Sequence, residues 1–383
     1  MINQSDLRDI NTGLLMRMIL EKAPISRRDL ARCSGLAPST VTSITSVLQE
    51  NRYIHECGWA TSKTGRRPIL LDINPDGGYF IGVELNSPTS KIGVLNLSTA
   101  LVHTVSYRTV TDNVDSCVNQ LVEGILDVLK WCKESDKSVL GIGIGATGLI
   151  DPATGSVIES TNLGWRDVPL LKRLREVLTL PIRIENEANA AALGEYVRGG
   201  QQARMGNMMY VVIGDGIGAG IIISGALHIG GHGSAGEIGH MAIDPTGPRC
   251  RCGKYGCLEV ITSGTAMYKR YMEEPGSSEL FSALDLITLA NWGDPIAQRI
   301  LSESGRLIGM TIGNIINVLD LDTVILGGDL ISTASVLSTG ICEAALAAIL
   351  PTARHGVEIR TSDMKMHSAV IGAATLSWKQ IFA

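Results

Sequence analysis

The chain has 383 residues, 45% of them hydrophobic and 19% charged, with a net charge of −5 at pH 7. That size and balance specify two or three globular cores and exclude a fibrous or disordered chain. No run of about 18 apolar residues is present to span a bilayer and no signal-peptide layout is found, so a cytoplasmic protein without a membrane partner is expected.

The charge is uneven. Residues 1–70 carry ten Lys and Arg against six Asp and Glu, a balance of +4 that leaves −9 for the rest. A basic front segment on an acidic body suits a reader of polyanions joined to a separate sensing unit. Three of the eight cysteines fall between Cys250 and Cys257 and the others are scattered, which suits a reducing compartment rather than a disulfide framework.

In chain order, Leu14, Leu15, Met18 and Ile19 recur at helical spacing until Lys22-Ala23-Pro24 interrupts it, predicting a first helix with that buried face. Ser26 followed by Asp29 is a capping pair for a second, short helix that stops at Ser34-Gly35. Pro38 suits the first position of a third helix, whose buried face is Val41, Ile44, Val47 and Leu48. Its other face carries Ser39, Thr40, Thr42, Ser43, Thr45 and Ser46, short hydroxyl side chains that let a helix approach DNA and bond phosphates or base edges. Tyr53-Ile54 and Ile69-Leu70-Leu71 then predict two strands, joined by a stretch that ends in the basic turn Gly65-Arg66-Arg67-Pro68. Helix, turn, helix and wing in this order predict a winged helix-turn-helix over residues 1–75. Its DNA contacts would be Arg27, Ser39, Thr40, Thr42, Ser43, Arg66 and Arg67; the alternative is a solvated basic hairpin beside an ordinary helical bundle.

Beyond Pro75 the texture becomes β-branched runs separated by glycines, alternating with amphipathic stretches such as Cys117 to Cys132, so the class is α/β. Tyr79–Leu97 and Met209–Gly225 each read as a strand, a polar or glycine-containing turn, and a returning strand. A hairpin opening each of two lobes is the plan of the actin-like ATPase architecture.

Further on, His240, Cys250, Cys252 and Cys257 are spaced as His-x9-Cys-x-Cys-x4-Cys, with Gly253 and Gly256 supplying turns. Four nitrogen and sulfur ligands predict a closed tetrahedral zinc site, the alternative being free or redox-active thiols with an unrelated histidine. Zinc on one imidazole nitrogen would leave the other as a fixed donor toward a ligand.

These motifs resemble the ROK family of repressors and sugar kinases over nearly the whole chain. The resemblance rests on Pro24-Ile25-Ser26-Arg27 and Gly65-Arg66-Arg67-Pro68 at the front, Glu185-Asn186-Glu187-Ala188-Asn189-Ala190 in the middle, and Gly236-Glu237-Ile238-Gly239-His240 running into the cysteines and Cys257-Leu258-Glu259. Asn162-Leu163-Gly164-Trp165-Arg166-Asp167 is similar to the xylose repressor branch. The resemblance implies a two-lobed, ribonuclease H-like sugar-kinase fold behind the DNA reader. The lobes would be residues 76–195 with 369–383, and 196–368 with the zinc site and an oligomerisation surface. It also implies a monosaccharide, xylose or glucose, bound between the lobes by Asn186, Glu187, Glu237, His240 and Glu259, with Gly148 and Asn162 at the rim. The expected partners are a palindromic operator, the sugar effector and a second copy in a dimer.

A kinase of this family needs a first phosphate loop with paired glycines, a second glycine loop, and an aspartate base. Here the first loop reads Gly82-Val83-Glu84-Leu85-Asn86-Ser87, the second carries Asp215 in Gly214-Asp215-Gly216-Ile217-Gly218, and the base position is Glu187. A carboxylate among phosphate-binding glycines repels phosphate. The expectation is a sugar-responsive repressor with no catalytic residues, against the alternative of a ROK-type sugar kinase with a DNA-binding appendage.

Overall fold

The computed structural model describes residues 4–61, 67–199, 206–364 and 367–382. The chain forms two units, Met1–Ala190 with Ala369–Ala383, and Ala191–Ser368.

The first unit opens with α1 (Gln4–Lys22), β1 (Ile25–Ser26), α2 (Arg27–Ser34), α3 (Pro38–Glu50), β2 (Ile54–Trp59) and β3 (Ile69–Ile73). β3 is the middle strand of an antiparallel sheet in the order β1-β3-β2. The Ser26 side chain accepts the Asp29 N–H, and Gly35 in the left-handed conformation closes α2, as capping requires. Leu15, Met16, Ile19, Leu30, Val41, Ile44 and Leu48 are buried. Met16 is more deeply placed than the expected Leu14 and Met18, which are half-buried. α1 packs against both α2 and β3, so its buried stripe is not centred where spacing alone puts it.

The body of this unit is β4 (Tyr79–Leu85), β5 (Thr89–Asn96), β6 (Leu101–Arg108), α4 (Val114–Glu134), β7 (Val139–Ala146), the small strands β8 (Leu149–Asp151), β9 (Ser156–Ser160) and β10 (Trp165–Val168), α5 (Leu170–Arg175), β11 (Ile182–Asn186) and the start of α6 (Glu187–Gly199). Its main sheet has the order β11-β7-β4-β5-β6, with β7 and β11 parallel to β4 and the hairpin strands antiparallel. The apolar face of α4, including Leu121, Ile125 and Val128, joins the sheet residues Ile81, Val83, Ile92 and Ile142 in one core.

In the second unit, β12 (Met208–Ile213), β13 (Ile217–Ile223) and β14 (Ala226–Leu227) are followed by α7 (Leu258–Thr262), α8 (Gly264–Met272), α9 (Ala283–Asn291), α10 (Pro295–Leu319), β15 (Thr323–Gly327), α11 (Ser335–Ala348) and β16 (Glu358–Thr361). Its sheet runs β14-β13-β12-β15-β16, again three antiparallel strands followed by two parallel ones. The two sheets thus follow one plan, the repeat suggested by the two hairpin-like segments.

The last helix, α12 (Ser368–Phe382), returns to the first unit. It lies directly on the sheet backbone: a Cβ at Gly82 would meet the Val370 carbonyl oxygen at 2.0 Å, and one at Gly143 the Ala373 carbonyl oxygen at 1.7 Å. At its end, Phe382 meets Phe80 of the sheet and packs edge-on against Tyr53, which follows α3, at 5.1 Å between ring centroids.

Candidate functional site

The polar face of α3 is exposed at Ser39, Thr42 and Ser43 and half-buried at Thr40. Thr45 departs from expectation. It is fully buried, donates to the Val41 carbonyl, and accepts from Arg27 Nε at 3.0 Å. The Arg27 guanidinium also donates to Gln49 and sits 3.5 Å from Glu56, so it ties α2 to α3 and β2. Arg67 is exposed, while Arg66 lies outside the described residues.

The first unit brings four of the expected sugar residues into two linked pairs. Asn186 ends β11; its amide donates to the Gly148 carbonyl at 2.8 Å, and its side-chain oxygen accepts the Ala188 N–H at 2.8 Å in the first turn of α6. Glu187 begins α6 and its Oε2 accepts the Asn86 amide at 2.9 Å. The Asn162 amide reaches Asn86 Oδ1 at 3.4 Å. Asn86 is a residue that motif reasoning left without a role, since it lies 101 positions from Glu187 and no local pattern links them.

In the second unit, one ligand atom from each of His240, Cys250, Cys252 and Cys257 lies within 4.8 Å of the others. Cys252 and Cys257 sulfurs are 3.6 Å apart, and Cys250 Sγ is 3.6 Å from His240 Nδ1. Two thiolates about 2.3 Å from a tetrahedral zinc would be roughly 3.8 Å apart, so this donor set fits such an ion with little adjustment. Burial, and then the neighbouring Cys252 and Cys250 thiols, push the Cys257 thiol up to about 12, and a bound cation would favour its thiolate.

The imidazole faces two ways. With Nδ1 toward the thiols, Nε2 is 3.9 Å from Glu237 Oε2. Desolvation raises the Glu237 carboxyl, His240 opposes that shift and Glu259 adds to it, although the Glu237 side chain is still 40% exposed. Glu259, in α7, is more enclosed: its Oε2 accepts the Ile217 N–H at 3.1 Å and its Oε1 is 3.3 Å from Arg251. Arg251 is a second residue that motif reasoning passed over.

The two segments expected to correspond to kinase phosphate loops both carry acids. Glu84 is 8% exposed and pairs with Lys91, its cross-strand partner on β5, at 3.1 Å. In the second unit, partial desolvation raises the carboxyl of Asp215, a residue that is still exposed to solvent, and the charge of Asp329, just after Gly327-Gly328, adds to that shift. The charge of Asp329 thus disfavours the ionised form of Asp215.

Residues 80–380 match the ROK family. The chain is 31% identical to the xylose repressor of Bacillus subtilis (strain 168) over 375 residues, which is 98% of this chain and 96% of that one. Against the glucokinase of Halalkalibacterium halodurans it is 31% identical over 317 residues, which is 79% of this chain and 96% of that one. Among solved structures, a ROK family transcriptional regulator described as a homolog of the E. coli MLC protein is similar with a TM-score of 0.84 at 28% identity, over 98% of this chain and 96% of that one. The two-lobed α/β architecture and the resemblance expected from the motifs are borne out, and the chain belongs to the ROK family.

Proposed function

We propose that the protein is a sugar-responsive transcriptional repressor in which residues 1–75 bind a palindromic operator as a winged helix-turn-helix. The observation that carries this reading is the difference in coverage: the repressor relative extends over 98% of the chain and the glucokinase over 79%, while the family match starts at residue 80. Among its described residues, the segment before it has α1, α2 and α3, the sheet of β1, β3 and β2, and an exposed row of Ser39, Thr42 and Ser43 on α3.

The effector in this reading is a monosaccharide, xylose first and glucose next, in keeping with the names of the relatives. Asn186 and Glu187 of the first unit, with Gly148 and Asn162 beside them, and Glu237, His240 and Glu259 of the second unit supply its hydrogen bonds. Zinc on His240, Cys250, Cys252 and Cys257 sets the imidazole tautomer so that Nε2 is a defined partner for a hydroxyl. Sugar binding favours a state of the dimer whose two readers no longer match half-sites one or two helical turns apart, a population shift between two sites.

Phosphoryl transfer is not part of this function. The Glu84–Lys91 pair and the Asp215–Asp329 repulsion support that reading. The test is a binding assay on duplexes selected from a random library, at fixed salt, with D-xylose, D-glucose and N-acetyl-D-glucosamine in turn, alongside an ATP-coupled assay with the same sugars. One sugar should release the duplex and none should be phosphorylated. Turnover that Glu187→Ala abolishes, or sugar binding without any change in duplex affinity, would overturn the proposal.

A further inference from the structure

Asn86 stands in the first phosphate loop, where related kinases carry glycines. Its backbone is anchored, because the hydroxyls of Ser90 and Thr109, both buried, donate to its carbonyl. Its side chain is held at both ends. The amide nitrogen donates to Glu187 Oε2 at 2.9 Å, and the amide oxygen accepts the Ser87 N–H at 2.8 Å and the Asn162 amide at 3.4 Å. One residue with a fixed backbone therefore touches two side chains that come from distant segments. A glycine there could make neither contact.

Resting on the effector reading above, we infer that Asn86 is a positioning residue of the effector site, and that the loop which lost phosphate binding now presets sugar recognition. By holding one carboxylate oxygen of Glu187 and the Asn162 amide, it fixes an acceptor and a donor relative to each other before the ligand arrives. That arrangement selects a pair of vicinal hydroxyls, one donating and one accepting, and spares the ligand the ordering of two side chains.

The test is calorimetric titration of the full chain with D-xylose, D-glucose and N-acetyl-D-glucosamine, comparing wild type with Asn86→Ala, Asn86→Asp, Glu187→Ala and the Asn86→Ala/Glu187→Ala double variant. Circular dichroism and thermal melting check that each is folded. Asn86→Ala should raise Kd by about ten- to fiftyfold, the loss expected for one charge-assisted hydrogen bond and two loosened side chains. It should add less in the Glu187→Ala background, where of those two side-chain contacts only the one to Asn162 remains to be lost. Asn86→Asp sets a second carboxylate against Glu187, so its Kd relative to wild type should be largest at pH 8 and should shrink toward pH 5, where a shared proton restores the donor. A purely structural role would not give that dependence. Asn86→Ala binding within twofold of wild type, or an Asn86→Asp ratio equal at the two pH values, overturns the inference and leaves the effector reading intact. If the wild-type chain binds none of the three sugars, the effector reading itself fails and the positioning role falls with it.

Discussion

Replacing Gly148 by Ala probes, through the backbone, the residues proposed to bind sugar in the first unit. Gly148 has a φ of +108°, which L side chains rarely adopt, and a Cβ there would lie 2.3 Å from the Glu159 carbonyl oxygen and 2.7 Å from Ser160 Cβ. A carbon normally keeps about 3.3 Å from such an oxygen, so the segment must move by roughly 1 Å. The dihedral strain alone is about 1–3 kcal/mol, which for a unit of this size lowers the melting temperature by several degrees. The moved carbonyl is the one that receives the Asn186 amide at 2.8 Å. Displacing that amide should raise the sugar Kd at least about tenfold, equivalent to roughly 1.4 kcal/mol or one hydrogen bond. Calorimetry gives the Kd and a thermal melt gives the strain. A lowered melting temperature with sugar affinity within twofold of wild type would refute the reasoning, because it would separate the Gly148–Asn186 contact from the ligand.

Three further outcomes are expected. Elemental analysis should find about one zinc per chain, and stripping the metal or making Cys252→Ala should lower the thermal transition of the second unit; an unchanged melt after complete removal would show that the cluster needs no ion. Arg67→Ala should weaken duplex binding across sequences and lower the slope of log K against log salt by about one while sugar affinity holds, measured by anisotropy at several salt concentrations; an unaltered slope would remove Arg67 from the interface. Asp215 has a raised carboxyl, so it binds its proton more tightly when folded, and its contribution is present at low pH and lost as pH rises through the folded value. Because Asp215 is exposed and its charge is screened by solvent, Asp215→Asn should melt only slightly above wild type at pH 7, with the gap closing toward pH 4; a constant gap would mean that the acid is not perturbed by folding.

Much of the local architecture is legible in the residues. The Ser26 and Asp29 cap, the Gly35 stop and Pro38 at the head of α3 are where the pattern puts them, because capping and φ restrictions act within one helical turn. The four candidate metal ligands fall within 18 positions, so their spacing alone brings them near one centre. The hairpins Tyr79–Leu85 with Thr89–Asn96 and Met208–Ile213 with Ile217–Ile223 are visible for the same reason.

Other features depend on which elements pack together. Thr45 reads as part of a polar, DNA-facing stripe, yet Arg27 from α2 and the Val41 carbonyl draw it inward. Arg27 reads as a contact for DNA, yet its guanidinium is engaged by Thr45, Gln49 and Glu56. No periodicity joins Asn86 to Glu187, or sets the charge of Asp329 near Asp215, since such pairs come together only when separate strands and loops are assembled by the burial of two sheet cores. By itself, then, the sequence determined the helices, caps, hairpins and metal spacing, all set by interactions over a few residues. Tertiary structure alone decided which polar side chains turn inward and which loop residue holds the Glu187 carboxylate, because long-range contacts are fixed by how apolar faces pack and not by any local period.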